Sequence, residues 1–327
     1  MQNKSRARYH LVAVSLGILL MVFGPLTADG AAPQIRTQGS GFYRMMLGDF
    51  EVTALLDGTH TFPVDTVMEG VSKKEIQRDL ARDEIALPLQ GSINAFLINT
   101  GTKLILIDTG AGVLYGDCCG KLLNNLRAAG YQPEQVDEVL LTHLHKDHEG
   151  GIILDGKMAF PNAILRVSKV EADYWLTPAN KSLAPAFLST FFDSAIASVA
   201  PYVAAVRFKP FDGNEQLEPG IRTMAAPGHT PGHATYYIES QSQTLLVWGD
   251  IIHVASIQLQ NPTVTVEYDT DPKSAQRSRR ELLQLAASKH YIVGAAHIAF
   301  PGLGHVRANG STYDWIPLNY DAAPGKK

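Results

Sequence analysis

Cysteine is nearly absent: the 327 residues hold two, and those two are neighbours, Cys118 and Cys119. A bridge between adjacent residues closes a strained ring, so no ordinary disulfide framework exists and stability must come from a buried core. The thiols are reduced and incidental on this reading. Neither is placed like a metal ligand or stands beside an identifiable base, which argues against a cysteine nucleophile. No basic run of the kind that binds nucleic acid is present, and the formal net charge of −4 is close to balance, so nucleic-acid partners are not expected. Short repeats and low-complexity linkers are missing too.

Long apolar runs are also scarce. The N-terminal one, Leu11 to Phe23, has thirteen residues, too few to span a bilayer comfortably as a helix. Lys4, Arg6 and Arg8 precede it, and Ala28, Gly30, Ala31 and Ala32 follow it. That is the layout of a secretory signal. It predicts that residues 1–31 are removed, that the mature chain is periplasmic or secreted with no stable membrane insertion, and that 32–327 form a single domain. An uncleaved membrane anchor is the alternative.

What the chain does have is a series of apolar runs ending in polar residues. Phe50 to Leu56 alternates like a strand and is expected to stop at the turn pair Asp57-Gly58. Val71 to Arg82 favours a helix. Asn94–Asn99 and Lys103–Ile107 flank Thr100-Gly101-Thr102 as a hairpin. A helix from Lys121 to Ala129 ends at Gly130, a residue suited to the position after a helix. Val136–Leu141 and Ala163–Val167 are strands, and Val170 to Val199 is mainly helical. Ala234–Ile238 pairs with Thr244–Trp248; Ser274–Lys289 is a helix and Tyr291–Val293 a strand. Strands followed by helices in both halves predict two sheets between helical layers.

One segment concentrates chemistry. Thr142-His143-Leu144-His145-Lys146-Asp147-His148 places four metal-binding side chains within six residues, a poor way to build a core and a good way to hold metal. Its alternation lets His143 and His145 point one way while Asp147 and His148 reach a second position, which predicts two ions sharing one bridging water. Further ligand types stand at glycine-rich turns or strand ends: His229 and His233 in Pro227-Gly228-His229-Thr230-Pro231-Gly232-His233, Asp250 after Gly249, and His297 after Val293-Gly294-Ala295-Ala296. Rigid sheets hold ligands at their edges in this manner. His60, His290 and His305 lack any such context and read as surface or packing residues.

His-x-His-x-Asp-His, then Pro-Gly-His, Gly-Asp and a late His, with Ile107-Asp108-Thr109-Gly110, resemble the metallo-β-lactamase superfamily. The resemblance runs over most of the mature chain and implies its α/β fold, an αβ/βα four-layer sandwich. It implies that His143, His145 and His229 bind one metal, that Asp147, His148 and His297 bind the other, and that Asp250 bridges both. Asp250 then orients the hydroxide, and Asp147 joins it as a catalytic group. Asp108 supports a ligand histidine by accepting its N–H, and His233 supports the turn by hydrogen bonds. Five neutral imidazoles and two carboxylates set −2 against +4, and a bridging hydroxide leaves about +1, which favours a water of lowered pKa. Such a nitrogen-rich set suits two divalent ions, zinc first, with manganese, iron or cobalt as alternatives.

The branch can be read more closely. Gly41-Phe42-Tyr43-Arg44-Met45, Leu47-Gly48-Asp49-Phe50, the run Gly130 to Glu138, Glu171–Trp175 and Phe300-Pro301-Gly302 resemble the methyl parathion hydrolase group and its aryl-lactone-hydrolysing relatives. The resemblance implies an aromatic pocket of Tyr115, Trp175 and Phe191, with Phe192 adjacent, and a homodimer. Aromatics so spaced on a helix suit a core equally well. Three residues after Asp250 the phosphotriesterases carry leucine; this chain has His253, the pattern of the lactonases. The expected activity is therefore hydrolysis of a small neutral aryl lactone or ester, with phosphotriester hydrolysis as a side reaction. A phosphotriesterase as main activity is the alternative. The β-lactamases compared place cysteine or serine at Asp250, which argues against β-lactam hydrolysis. Mononuclear iron dioxygenases share several of the ligands, and a persulfide- or thioester-handling enzyme would need a cationic patch. RNA processing would need a basic surface. A non-catalytic metal-binding scaffold is the reading from another class. Phe62 to Met68 is the candidate segment covering the pocket.

Overall fold

Runs that are apolar at every position become strands buried on both faces, because each face meets a different layer. The computed structural model describes residues 32–322, with one compact unit from Gly39 onward. Residues 1–31, where the secretion signal was read, lie outside the described residues. The first sheet contains β1 (Phe42–Leu47), β2 (Phe50–Thr61), β3 (Gln90–Asn99), β4 (Leu104–Ile107), β5 (Glu138–Leu140) and β6 (Ile164–Arg166), adjacent in that order. The second contains β7 (Gln216–Glu218), β8 (Ile221–Ala225), β9 (Ala234–Ser240), β10 (Gln243–Val247), β11 (Ile292–Gly294), β12 (Leu303–Asn309) and β13 (Thr312–Pro317), again in order. Pairing is antiparallel except for β4–β5–β6 and β10–β11, which run parallel.

Two strands show how the layers form. In β4, Ile105 and Ile107 enter the core between the sheets, while Leu104 and Leu106 face the helices. In β10, Leu245 and Val247 point inward between the sheets, and Leu246 points outward with Trp248. Helices α1 (Lys73–Arg82), α2 (Leu122–Ala128), α3 (Lys169–Trp175), α4 (Ser189–Ala204) and α5 (Pro272–Lys289) supply the rest. Outside the first sheet, α2 contributes Leu122 and Leu126, α3 Ala172 and Trp175, and α4 Phe192, Ala195, Val199 and Tyr202. Outside the second, α5 contributes Leu282, Leu283 and Ala286. The result is the expected four-layer sandwich, helix, sheet, sheet, helix. Each fully buried leucine in it is worth about 1.5–3 kcal/mol.

Local signals explain the helix ends. Asp271 accepts from the N–H groups of Lys273 and Ser274, and Pro272 opens α5 with its φ already helical. Ser72 and Glu75 form a reciprocal capping box that starts α1. The stretch Ala186–Ala204 is long and apolar enough to cross a membrane by composition alone, but within it Phe192, Ala195, Val199 and Tyr202 belong to the core.

One expectation fails for a physical reason. The strand from Phe50 does not stop at Asp57-Gly58; it continues to Thr61 with a bulge between Leu56 and Gly58. Gly58 is needed for a close approach, since a Cβ there would meet the Cys118 carbonyl oxygen at 2.2 Å. The stretch Val170–Val199 is mainly helical, as expected, but it is broken into α3, Pro178–Leu183 and α4, because Pro178 and Pro185 cannot continue a helix. The strand β1 and the hairpin β12–β13 carry no strong alternation and were not read at all.

One buried acid is at odds with its surroundings. Glu149 is fully buried, and neither carboxylate oxygen makes a well-formed hydrogen bond, although the hydroxyls of Ser198 and Ser194 are near. Burial pushes its carboxyl up to about 8, from an ordinary 4.5. The folded state then keeps a proton that the unfolded chain releases. Its stabilisation is complete below the unfolded value and is lost as pH rises through the folded one. Glu149→Gln cannot ionise, so its melting temperature relative to the parent climbs between about pH 5 and pH 8. A flat difference in thermal melts across that range would remove the buried-acid account.

Candidate metal centre

The ligand-type residues leave both sheets at the same end of the sandwich. His143 and His145 follow β5, and the short helix Lys146–Glu149 carries Asp147 and His148. His229 stands in the turn between β8 and β9, Asp250 after β10, and His297 after β11. The parallel strands β5, β10 and β11 thus deliver their side chains from their C-terminal ends, where loop backbone can open around a site.

These seven residues converge. His143, His145, His229 and Asp250 form one group with ligand atoms within 4.8 Å of one another, and Asp147, His148 and His297 form a second. Asp250 faces both. Its Oδ2 lies 3.2 Å from His229 Nε2 and 3.7 Å from His143 Nε2, while Oδ1 lies 3.1 Å from both His148 Nε2 and His297 Nε2. Asp147 Oδ2 stands 3.6 Å from His297 Nε2 and 3.8 Å from His148 Nε2.

This donor set fits cations. The Nε2 atoms of His143, His145 and His148 are buried without a hydrogen-bond partner, and so is Asp250 Oδ1. Buried polar atoms are rarely left so. His229 Nε2 faces His145 Nδ1 at 3.1 Å, two imidazole nitrogens that need a proton or a cation between them. Ligand atoms about 2.1 Å from one tetrahedral zinc stand roughly 3.4 Å apart, the spacing seen around Asp250. Protonation tells the same story. Burial and the His148 charge push His143 well below its ordinary range. Against the cost of burial, Asp250, Asp108 and Asp147 hold His148 well above it, and Asp250 with Asp269 brings His229 up to about 9. Asp250, despite burial, is held well below the usual carboxylate range by His148, His297, His143 and His253. Protons gather where cations would sit.

A layer of hydrogen bonds orients the ligands. Asp108, at φ +59°, accepts from Thr142 N–H at 2.8 Å and has Oδ2 3.0 Å from His148 Nδ1. His233 Nε2 accepts from the Asp250 N–H at 3.1 Å, which fits an imidazole that burial and His229 push down to about 3. Asp108 thus faces the His148 imidazole, while the bond of His233 reaches the turn after β10 and not the turn it stands in. Asp269, which stands in no recognisable motif, has Oδ1 2.8 Å from His229 Nδ1. Glu171 was missed as well: its buried carboxylate accepts from the N–H of Leu144 at 2.9 Å, the Thr230 hydroxyl at 2.8 Å and the N–H of Gly232 at 2.9 Å. His297 Nδ1 lies 2.9 Å from the Ser92 carbonyl. Removing an orienting carboxylate of this kind costs metal affinity about 10–100-fold. Asp269→Ala should therefore weaken binding by that factor in a competitive chelator titration, and unchanged affinity would strip Asp269 of the role.

Above the cluster lies a cavity of about 380 Å³. Tyr115, Phe191 and His253 line it, as expected, beside Asp147, Asp250 and His297. Trp175 and Phe192 do not. Both are fully buried core residues packed on each other at 4.5 Å between ring centroids, and Trp175 backs His145. His60, Phe62, Phe187, Glu267 and Tyr268 complete the wall. Phe62, Pro63 and Val67, from the segment expected to cover the pocket, do line it. His60 was read as a surface or packing residue and is a wall residue instead. A larger cavity of about 600 Å³ at Tyr43, Met45 and Leu318 contains no histidine, so the chemistry belongs to the smaller one. Cys118 and Cys119 are free thiols; burial and Cys118 push the Cys119 thiol up, which makes it a poor nucleophile.

Known proteins resemble the chain in the same region. The family described as "Metallo-beta-lactamase superfamily" matches residues 89–297. The N-acyl homoserine lactonase AiiA of Bacillus thuringiensis subsp. kurstaki is 26% identical over 179 residues, 54% of this chain and 62% of that protein. The chain thus spans about six-tenths of the length of the curated relatives it matches first. Among solved structures, a hydrolase named AbOPH in the beta lactamase superfamily is 38% identical with a TM-score of 0.83, covering 87% of this chain and 100% of that one. AidC, a dizinc quorum-quenching lactonase, is 29% identical with a TM-score of 0.80, covering 86% and 99%.

Proposed function

The chain belongs to the metallo-β-lactamase superfamily, and on that premise we propose that it is a dinuclear metal-dependent hydrolase that opens lactones, preferring neutral aryl lactones and esters. The observation that carries this reading is Asp250, whose two oxygens face the two ligand groups separately at the floor of the cavity. His143, His145 and His229 would hold one ion, Asp147, His148 and His297 the other, and Asp250 would be shared. Divalent ions held there supply Lewis acidity and a water of lowered pKa; zinc suits five imidazoles best, and manganese, iron or cobalt would be accommodated.

The chain's own groups do the rest. Phe62, Tyr115, Phe191 and Tyr268 give the cavity an apolar wall, and no lysine or arginine lines it among the described residues. Such a wall receives a flat neutral group and offers nothing to an anionic one. Asp147, with 12% of its side chain exposed, is the most open carboxylate of the cluster. It would take up the proton released by the attacking water and pass it to the departing oxygen. Asp108, Asp269 and Glu171 keep the imidazoles aimed.

The relatives support a lactonase: AiiA and AidC are named as lactonases, and His253 stands in the wall where the phosphotriesterases of the resembled group carry leucine. A neutral phosphotriester would enter the same apolar cavity, which makes that hydrolysis a side reaction. Export of the chain and a homodimer complete the proposal, the first supported by the N-terminal signal pattern and the second by the resemblance alone.

The test compares kcat/KM for dihydrocoumarin, N-hexanoyl homoserine lactone and methyl parathion with metal-loaded mature protein. A lactone far ahead of methyl parathion supports the lactonase reading, and the better of the two lactones fixes the substrate type. Methyl parathion in front overturns it in favour of a phosphotriesterase. Purified protein that binds no metal would leave only a non-catalytic scaffold.

A further inference from the structure

His60 is a neutral polar wall residue that neither belongs to the ligand cluster nor touches Asp250; the other neutral polar groups of the wall are the hydroxyls of Tyr115 and Tyr268, and that of Tyr115 is engaged with Asp147. It sits on β2 opposite Gly91 of β3, and its neighbours Thr59 and Thr61 are exposed. Its half-buried ring is fixed by two edge-on aromatic contacts, with Tyr115 at 5.5 Å and Phe62 at 6.1 Å between centroids. Phe62 in turn stacks on His253 at 6.3 Å, so Tyr115, His60, Phe62 and His253 form one continuous wall. His253 is engaged, with Nε2 3.1 Å from Asp250 Oδ2. His60 is not: its hydrogen-bonding neighbour is the Thr61 backbone, which leaves a ring nitrogen with no protein partner. Burial keeps the imidazole neutral, and the charges that act on it come from Asp147 and His297. It therefore flanks the Asp147–His297 side of the floor.

A neutral imidazole offers one donor and one acceptor. In a wall built mostly of aromatic rings, such a group costs binding free energy unless the substrate pairs with it. With a lactone carbonyl at the floor, the substituent on the neighbouring ring carbon falls against the wall beside it. We propose that His60 is a substrate-contacting specificity residue that hydrogen-bonds an amide carried on the carbon next to the lactone carbonyl. Among five-membered lactones the enzyme then prefers acylamino-substituted rings to rings with a plain alkyl chain. This inference rests on the lactonase reading.

The experiment measures kcat/KM for N-hexanoyl homoserine lactone and for an α-heptyl-γ-butyrolactone, and takes their ratio. His60→Phe keeps the ring contacts with Tyr115 and Phe62 but removes both nitrogens, and the ratio falls about tenfold, the worth of one neutral hydrogen bond. His60→Gln, which restores a donor and an acceptor, recovers most of it. A ratio in His60→Phe within about twofold of the parent overturns the proposal. Calorimetric Kd values for the corresponding lactams, which are not turned over, give the same ratio from binding alone. A parent that opens neither of these lactones nor dihydrocoumarin would end the lactonase reading, whereas a parent that opens only dihydrocoumarin, or a lactam ratio indifferent to His60→Phe, would end this one. Metal content and melting temperature of each variant exclude misfolding as the cause.

Discussion

Replacing Asp250 with alanine lowers kcat/KM by about a thousandfold or more and reduces the bound metal from two ions per chain toward one or none. The magnitude follows from position. Among the described residues Asp250 is the only carboxylate whose oxygens face both ligand groups, so its loss uncouples them. The five imidazoles would remain crowded together, with His143 and His148 at 4.0 Å between ring centroids, and without the anion that compensates shared cations. Loss of one preorganised electrostatic group in an active site costs about 10²–10³-fold by itself, and loss of an ion adds to it. Asp250→Asn keeps one acceptor oxygen but not the charge, and should fall between parent and alanine in metal content. Elemental analysis of purified protein alongside kinetics decides the matter. An alanine variant with two ions and less than a tenfold loss would show that the bridge is unimportant.

Glu171→Ala should be the most damaging substitution for stability. The carboxylate is fully buried, pushed up by burial and pulled back by its three donors. Those donors belong to different segments: Leu144 lies between the ligands His143 and His145, and Thr230 and Gly232 follow His229. Deleting the acceptor strands three buried donors, each at about 1–3 kcal/mol, and partial relaxation around them holds the total to roughly 3–5 kcal/mol. Melting temperature would fall by about 10 °C on that scale. Glu171→Gln keeps one acceptor and should lose clearly less. Calorimetry of the metal-loaded proteins tests both, and an alanine variant melting within a degree or two of the parent would refute the role.

The two substitutions mark the boundary of what the chain reveals unaided. His143, His145, Asp147 and His148 are legible because they are crowded into one loop, where no core would tolerate them. Asp250 and His297 are legible because a polar residue ends an apolar run, and a sheet edge is where such a residue can work. Glu171 and Asp269 are isolated polar residues whose partners lie tens of residues away, and nothing near His60 marks it as a wall residue. The helix period also misleads at close range. Phe191 and Phe192 are adjacent, about 100° apart around the axis of α4, so one lines the cavity while the other enters the core. Trp175 went astray for the same reason: pattern tells that a side chain is buried, not which layer buries it. Asp57-Gly58 carries the composition of a turn, yet Asp57 accepts from the N–H groups of Ala111, Gly120 and Leu122. There the pair secures the loop bearing Tyr115 within a continuing strand.

The ligands are drawn from loops far apart along the chain, the first four from beside one sheet and the last three from the other. An ion held by both sets is a cross-link. Like a disulfide, it closes loops that the unfolded chain would leave open, and the entropy it removes grows only slowly with the length closed. A protein with two adjacent cysteines and no bridge between distant segments thus has another kind of tie, one that can be undone by a chelator. Its resistance to heat becomes a function of the free metal around it. Starved of metal, it would lose the fastening between its halves together with its chemistry.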